Sequence, residues 1–324
     1  MDVSIVIVNW NSRKFLVNCV RSIRRFPPSV PYELIVIDSG SFDGAETALS
    51  AEYPEAVFIQ SPVNLGFGRA NNLAAQHATG DWLLLLNPDT VVQRGSIDTL
   101  CCAANGLPDA GIVGPLLLNA NGSVQGTCVR AFPTLVNQTL ESNLLRRCWP
   151  RSRLWGMRPL IDQVSTPTAV DAVSGACAMI RRDLFQRLAG FSDEYFMYSE
   201  DLDLCYRVTQ EGLRCYYVPG AVVVHYGGAS TSQSPISEFS TVMMLESRSR
   251  YFARTCSAAH ARRFRAAIFV SSIVRLTVLV LLAPFYLLGG RGAQISVAVS
   301  KWMAKLRWSV GLAPCTQGDR GVTC

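Results

Sequence analysis

At 324 residues, with 49% hydrophobic and 17% charged side chains, the chain is long enough for one large α/β domain plus an appendage, or for two domains. Its 11 cysteines are odd in number, scattered and without a CxxC pair, which argues against a disulfide framework and for a reducing setting. The net charge of +6 is unevenly spread, with 18 Lys and Arg against 23 Asp and Glu up to Glu246, then 12 against 1 from Ser247 onward; that basic part is also the most apolar, so an anionic membrane surface is the expected partner and nucleic acid is not.

The apolar run Val3 to Val8 lacks a basic leader and is too short for a signal peptide, so it reads as a first strand, ending at Asn9-Trp10-Asn11-Ser12. Helical spacing follows over Arg13 to Arg25, with Phe15, Leu16, Cys19, Val20 and Ile23 on one face, closed by Pro27-Pro28. A second strand, Glu33 to Asp38, runs into the turn-rich Ser39-Gly40-Ser41-Phe42-Asp43-Gly44, a helix over Ala45 to Glu52 and a short strand at Val57 to Ile59. This β-α-β-α-β order predicts a mostly parallel, Rossmann-like sheet with helices on both faces. Ligands of such sheets sit beyond the carboxyl ends of the strands, which directs attention to Asn9, Asn11 and Asp38, and to Asn64-Leu65-Gly66-Phe67-Gly68-Arg69-Ala70-Asn71-Asn72. Asp38 ends an apolar strand where a ribose or base edge could be held, although a loop or N-cap role explains it equally well. The glycine-bearing stretch is not a GxGxxG fingerprint, because no third glycine follows at the required spacing.

Four leucines between Trp82 and Asn87 indicate a strand buried on both faces. Asp89, just past its end in Asn87-Pro88-Asp89, could help hold a hard cation and a diphosphate, or could belong to a plain turn. A helix over Gly95 to Ala104, a strand near Ile112 to Gly114 and a hairpin turn at Asn119-Ala120-Asn121-Gly122 come next. The stretch from Phe132 to Thr168 reads as irregular, with Arg146, Arg147, Arg151, Arg153 and Arg158 among Trp149 and Trp155, either a mobile loop that approaches lipid phosphate or headgroups or a solvated basic one. Small residues in Asp171 to Ile180, Gly175 among them, would let a backbone approach a ligand closely.

Three carboxylates crowd into Ser199-Glu200-Asp201-Leu202-Asp203, before a helical pattern ending near Gly212, with Ser199 as the expected N-cap. Acidic residues in a first turn complement the helix dipole, and one of them could equally be a general base. The strand Ala221 to Val224 then delivers His225.

The tail divides the chain into 1–246 and 247–324. Ala266 to Leu288 is long enough to cross a bilayer, but Arg275 lies near its middle and Pro284 near its end, and basic residues flank both sides. These features suit a helical hairpin or an in-plane anchor at the cytoplasmic face better than a simple span, with a packed core helix as the alternative. Trp302 and Trp308 with Lys301, Lys305 and Arg307 have the composition of an interfacial helix, and Pro314 to Cys324 reads as disordered.

Taken together, Val8 to Asn11, Asp38 to Gly44, Asn64 to Gly68, Leu86 to Asp89 and Ser199 to Asp203 resemble, in order and spacing, the family 2 glycosyltransferases of the GT-A fold, and among these the rhamnosyltransferase-like branch of bacterial polysaccharide assembly. The resemblance covers about residues 3 to 230. It implies an inverting transferase that uses a nucleotide-diphosphate sugar and a glycan or lipid-linked acceptor, with a divalent cation, magnesium or manganese. It also implies roles: Asp201 as base, Glu200 orienting the site, Asp89 and His225 at the metal, and Asn9, Asn11, Asp38, Asn64, Gly66, Asn72 and Gly175 around the donor. Many relatives carry Asp-x-Asp where this chain has Asn87-Pro88-Asp89. A catalytically silent, membrane-tethered sugar-nucleotide binding subunit is the competing expectation.

Overall fold

The computed structural model describes residues 2–140, 148, 149, 152, 164–227, 238–288 and 292–312. The expectations for Arg146, Arg147, Arg151, Arg153, Trp155, Arg158 and Pro314 to Cys324 lie outside these residues. The chain divides into two compact units, one made of Met1–Phe132, Arg146–Phe196 and Glu200–Gln233, the other of Pro133–Leu145, Met197–Ser199 and Ser234–Cys324.

The first unit is built on β1 (Val3–Asn9), β2 (Tyr32–Ser39), β3 (Val57–Ser61) and β4 (Trp82–Leu86), all parallel, in the order β3-β2-β1-β4. β1 and the leucines of β4 are buried along their whole length, as continuous apolar runs in a two-sided sheet must be. Helices α1 (Arg13–Arg25), α2 (Ala45–Glu52) and α3 (Gly66–Ala75) make the crossovers. α1 buries Leu16, Cys19, Val20 and Ile23, the face given by its spacing.

Beyond β4 the sheet becomes mixed. β5 (Thr90–Val92), β6 (Ala110–Leu118), β8 (Thr168–Val170), β10 (Cys177–Arg181) and β11 (Arg214–His225) extend it in the order β4-β10-β6-β11-β5, with β8 also on β11. β10 runs antiparallel to both β4 and β6, while β6 and β11 are parallel. A separate ribbon pairs β7 (Val129–Arg130) with β9 (Ala172–Val173). Helices α4 (Ser96–Gly106), α6 (Arg182–Arg187) and α7 (Glu200–Gln210) complete this unit, and α5 (Leu135–Thr139) belongs to the other. The expected α/β sheet is present, with its strand ends at Asn9, Asp38 and Leu86 on one edge.

In the second unit α8 (Glu238–Thr255), α9 (Ala258–Leu288) and α10 (Gly292–Ser309) pack on one another. Their contact is aromatic: Phe264 lies 5.0 Å from Phe252 and 5.8 Å from Trp308, and the Trp308 indole N–H donates to Glu246 Oε2 at 3.0 Å. Composition placed Trp308 at a lipid interface, but it is only 2% exposed, because its ring completes this apolar cluster. Trp302 is likewise engaged, 4.5 Å from the Arg275 guanidinium and 4.2 Å from the Lys305 ammonium. Pro284 is accommodated inside α9.

Candidate active site

Strand register gathers the first group of side chains. Asn9 stands opposite Asp38 in the β1/β2 ladder, and Asp38 opposite Gln60 in the β2/β3 ladder, so the three form a row across the carboxyl ends of parallel strands. Asn9 Nδ2 donates to Asp38 Oδ1 at 2.7 Å and Gln60 Nε2 to Asp38 Oδ2 at 2.8 Å. The backbone N–H groups of Ser41 and Phe42 donate to the same carboxylate at 3.0 and 2.9 Å, and the Ser41 hydroxyl also does so. Burial pushes the Asp38 carboxyl upward, but the bonds from Ser41, Gln60, Phe42 and Asn9 outweigh it and hold the group below the ordinary carboxylate value.

The other predicted donor residues are placed unequally. Asn11 is exposed at φ 49, next to this row. Asn64 Oδ1 accepts the Gly66 N–H at 2.9 Å and so shapes the start of α3. Gly66 adopts φ +74, and a Cβ there would lie 2.2 Å from the Phe196 carbonyl. Asn72 is not drawn into the row, since both ends of its amide bond the Phe191 backbone, at 2.7 and 2.8 Å.

A second group forms where β4 ends. Thr90 pairs with His225 in the antiparallel β5/β11 ladder, which brings His225 beside Asp89. His225 Nε2 lies 3.2 Å from Asp89 Oδ1 and 3.5 Å from Asn87 Nδ2. Asn87 Oδ1 is buried without a hydrogen-bond partner among the described residues. A carboxylate oxygen, an imidazole nitrogen and an orphaned amide oxygen make a hard-to-borderline donor set that fits magnesium or manganese. No group of three or more His, Cys, Asp or Glu gathers among the described residues, so a cation here would need further oxygen ligands, which a diphosphate supplies.

The third group is the acidic start of α7. Asp201 is 8% exposed; its Oδ2 accepts the Gly175 N–H at 3.1 Å and its Oδ1 the Leu202 N–H at 2.9 Å. Arg130 on β7 reaches the same carboxylate, 3.1 Å from Oδ2 and 3.3 Å from Oδ1. Gly175 is needed here for closeness, because a Cβ would stand 3.1 Å from Asp201 Cβ. Glu200 is buried beside it. Asp203, fully buried, is bound to Arg207 at 2.8 Å one turn on, and Arg207 also donates to the carbonyls of Leu188 and Gly190, a structural clamp. Ser199 is not a side-chain cap: it adopts φ 67, and its buried hydroxyl has no partner among the described residues.

Sequence reading missed Arg130, Gln60, the Asn87 amide oxygen and Gln125, whose Oε1 lies 2.8 Å from His225 Nδ1. All four depend on pairings across strands or hairpins that leave no local pattern. A pocket of about 520 Å³ between Asp81, Trp82, Arg181 and Arg182 opens at the start of β4, away from these groups.

The family profile of glycosyl transferase family 2 matches residues 4–189. The chain belongs to glycosyl transferase family 2. Over 219 residues, 64% of its own length and 70% of the relative's, the transferase is 34% identical to N-acetylglucosaminyl-diphospho-decaprenol L-rhamnosyltransferase of Mycobacterium tuberculosis. It is 30% identical to rhamnosyltransferase WbbL of Escherichia coli over 172 residues, 50% of this chain and 61% of that one. Among solved structures, a mannosyltransferase from Pyrobaculum calidifontis in complex with GDP-Man and Mn2+ aligns with TM-score 0.58 at 16% identity, covering 96% of this chain and 86% of that chain. At that identity the likeness speaks for the GT-A-like fold of the transferase. The matched profile ends before α7, so the acidic helix stands on its own geometry.

Proposed function

We infer that this transferase moves a sugar, rhamnose by its curated relatives, from a nucleotide diphosphate to a hydroxyl of a lipid-diphosphate-linked glycan during cell-envelope polysaccharide assembly, with inversion. The carrying observation is Asp201, a buried carboxylate oriented by two backbone N–H groups and one guanidinium in the same unit as Asp38 and the Asp89–His225 pair. Asp201 takes the proton of the acceptor hydroxyl as that oxygen bonds to the anomeric carbon. The bond from that carbon to the nucleotide diphosphate breaks on the opposite face, and the diphosphate leaves with the electron pair.

Asp38, oriented by Asn9 and Gln60, holds the nucleoside. Asp89, His225 and the Asn87 amide oxygen would hold a divalent cation, which when bound offsets charge on the departing diphosphate. Glu200 orients the acceptor side.

A lipid-linked acceptor requires approach to a membrane. In α9, Val270, Val274, Val278 and Leu281 are exposed along one stripe and Phe269, Ile273, Val280 and Leu282 beside it, with Arg262 and Arg263 exposed near its start. Ala258–Pro284 has the length and composition of a bilayer span. Arg275 faces inward, donating to the Thr139 carbonyl at 3.2 Å and lying over Trp302, so its charge is kept off the apolar stripe. One apolar side and one engaged side favour embedding in the cytoplasmic leaflet.

The decisive assay supplies deoxythymidine-diphosphate rhamnose, manganese and N-acetylglucosaminyl-diphospho-polyprenol, and follows nucleotide diphosphate release and product mass. Acceptor-dependent release is expected. Release of no nucleotide diphosphate across a panel of sugar nucleotides and acceptors would instead leave the silent binding subunit as the reading.

A further inference from the structure

The hairpin between β6 and the Cys128–β7 segment carries a hydrogen-bond chain whose direction is set at one end. The backbone N–H of Ser123 can only donate, and it does so to Asn121 Oδ1 at 3.1 Å. That oxygen is therefore an acceptor, and the Ser123 hydroxyl donates its own proton to it at 2.6 Å. With its proton spent, Ser123 Oγ accepts from Asn119 Nδ2 at 2.9 Å. The Asn119 amide is thereby oriented, and its Oδ1 accepts from Gln125 Nε2 at 3.2 Å. Gln125 must then present Oε1 to His225 Nδ1, 2.8 Å away. Backbone bonds fix the frame: Gly122 N–H to the Asn119 carbonyl at 2.9 Å, Asn119 N–H to the Ser123 carbonyl at 2.8 Å and Gln125 N–H to the Leu117 carbonyl at 2.8 Å.

We propose that residues 119–125 form a tautomer lock, in which Gln125 holds the proton on His225 Nδ1 and presents the Nε2 lone pair beside Asp89 as a metal ligand. A neutral imidazole carries one proton, so a donating Nδ1 leaves Nε2 as acceptor. Nε2 then faces Asp89 Oδ1 at 3.2 Å, two acceptors in contact, with the Asn87 Nδ2 donor at the longer distance of 3.5 Å; a cation between the two acceptors relieves their contact. Gln125 is a positioning residue: it does not touch the ion but orients a side chain that would. The inference rests on the metal reading of Asp89 and His225, and the experiments separate the two.

The chain contains three histidines, so 15N-histidine labelling of the full-length protein gives few signals, with His225 assigned by its loss in His225→Ala. At about pH 8 and without metal, the nitrogen shifts of His225 are expected to report the Nδ1–H tautomer. In Gln125→Leu the signal should move toward the Nε2–H form. Affinity for Mn2+, read by electron paramagnetic resonance in the presence of deoxythymidine diphosphate, should fall about 10- to 100-fold in Gln125→Leu, as for other partners of metal-ligating histidines. Gln125→Glu, which keeps an acceptor for the same proton, should retain wild-type affinity within a few-fold and shows that the hairpin still folds. An Nε2–H tautomer in the wild type, or unchanged Mn2+ affinity in Gln125→Leu while His225→Ala is weakened, overturns the lock. Unchanged Mn2+ affinity in His225→Ala overturns the metal reading itself.

Discussion

A carboxylate has about four lone-pair sites, and at Asp201 the Gly175 and Leu202 N–H groups each take one while Arg130 reaches both oxygens. The two backbone donors cannot leave. The Arg130 side chain is one-third exposed and can, so with Asp201 as the proposed base the seat for an acceptor hydroxyl would be the one Arg130 yields. Asp201→Asn keeps the shape and removes the basicity, and turnover is expected to fall about 10²- to 10⁴-fold with folding intact; near-normal turnover would assign the base elsewhere. Arg130→Met should be costly in the wild type and nearly silent in the Asp201→Asn background, a coupling of about 1 kcal/mol or more in a double-mutant cycle. Additive effects would mean that Arg130 acts independently of Asp201. At Asp38 the prediction concerns pH. Its native pKa lies below the unfolded value of about 3.9, so its contribution to stability is complete above that value and is lost as pH falls through the native one. The stability gap between wild type and Asp38→Asn in denaturant titrations should therefore narrow from about pH 7 toward about pH 3; a constant gap would show that ionisation of Asp38 does not contribute. Asp38 and Asp89 were legible because a carboxylate ending an apolar strand is a local signal. Arg130 and Gln60 were not, because the β7/β9 ribbon and the β2/β3 register that deliver them are properties of the folded chain.

At the scale of elements, the parallel half of the sheet was readable from continuous apolar runs and helical spacing, and α1 and α2 have the limits that their patterns gave. The mixed half was not, because nothing local in Cys177–Arg181 says that it runs against β4. The entry to α7 was misread for a related reason. A serine before an acidic turn has the pattern of an N-cap, yet Tyr198 and Ser199 both adopt positive φ, a conformation set by neighbours and unfavourable for non-glycine residues. Upstream, the Phe196 carbonyl accepts the Phe67 N–H at 3.1 Å, which ties the approach to α7 to the start of α3. Gly66 permits that contact. Gly66→Ala should cost about 1–2 kcal/mol for placing an L side chain in the left-handed region, and in addition force a methyl group to 2.2 Å from the Phe196 carbonyl. Gly95 has nearly the same φ, +72, with nothing within 4 Å of the place its methyl group would take, so Gly95→Ala isolates the backbone cost. Denaturant midpoints should drop distinctly further for Gly66→Ala than for Gly95→Ala, and equal drops would show that the Phe196 contact relaxes freely.

Across the whole molecule, acidic excess up to Glu246 and basic excess after it assign different surroundings to the two parts of the chain. In the proposed membrane contact, the tail's apolar stripe would supply non-directional attraction to lipid, and its Arg and Lys residues attraction to anionic headgroups. The two differ in their response to salt, since about 1 M salt shortens the Debye length to about 3 Å and leaves apolar burial intact. Wild-type protein should co-float with vesicles containing anionic phospholipid, lose part of that binding in about 1 M salt, and bind neutral phosphatidylcholine vesicles less. Val274→Asp with Val278→Asp places two carboxylates on residues 55% and 46% exposed, away from the Phe252–Phe264–Trp308 cluster, so the fold should survive and flotation should fall sharply. Arg275→Leu tests the opposite side of α9. If Arg275 faced lipid, leucine would strengthen binding; because it lies over Trp302 and bonds the Thr139 carbonyl, the expected result is unchanged flotation with a lower melting temperature. Equal flotation of wild type and the double aspartate variant would mean that α9 does not meet the membrane through this stripe.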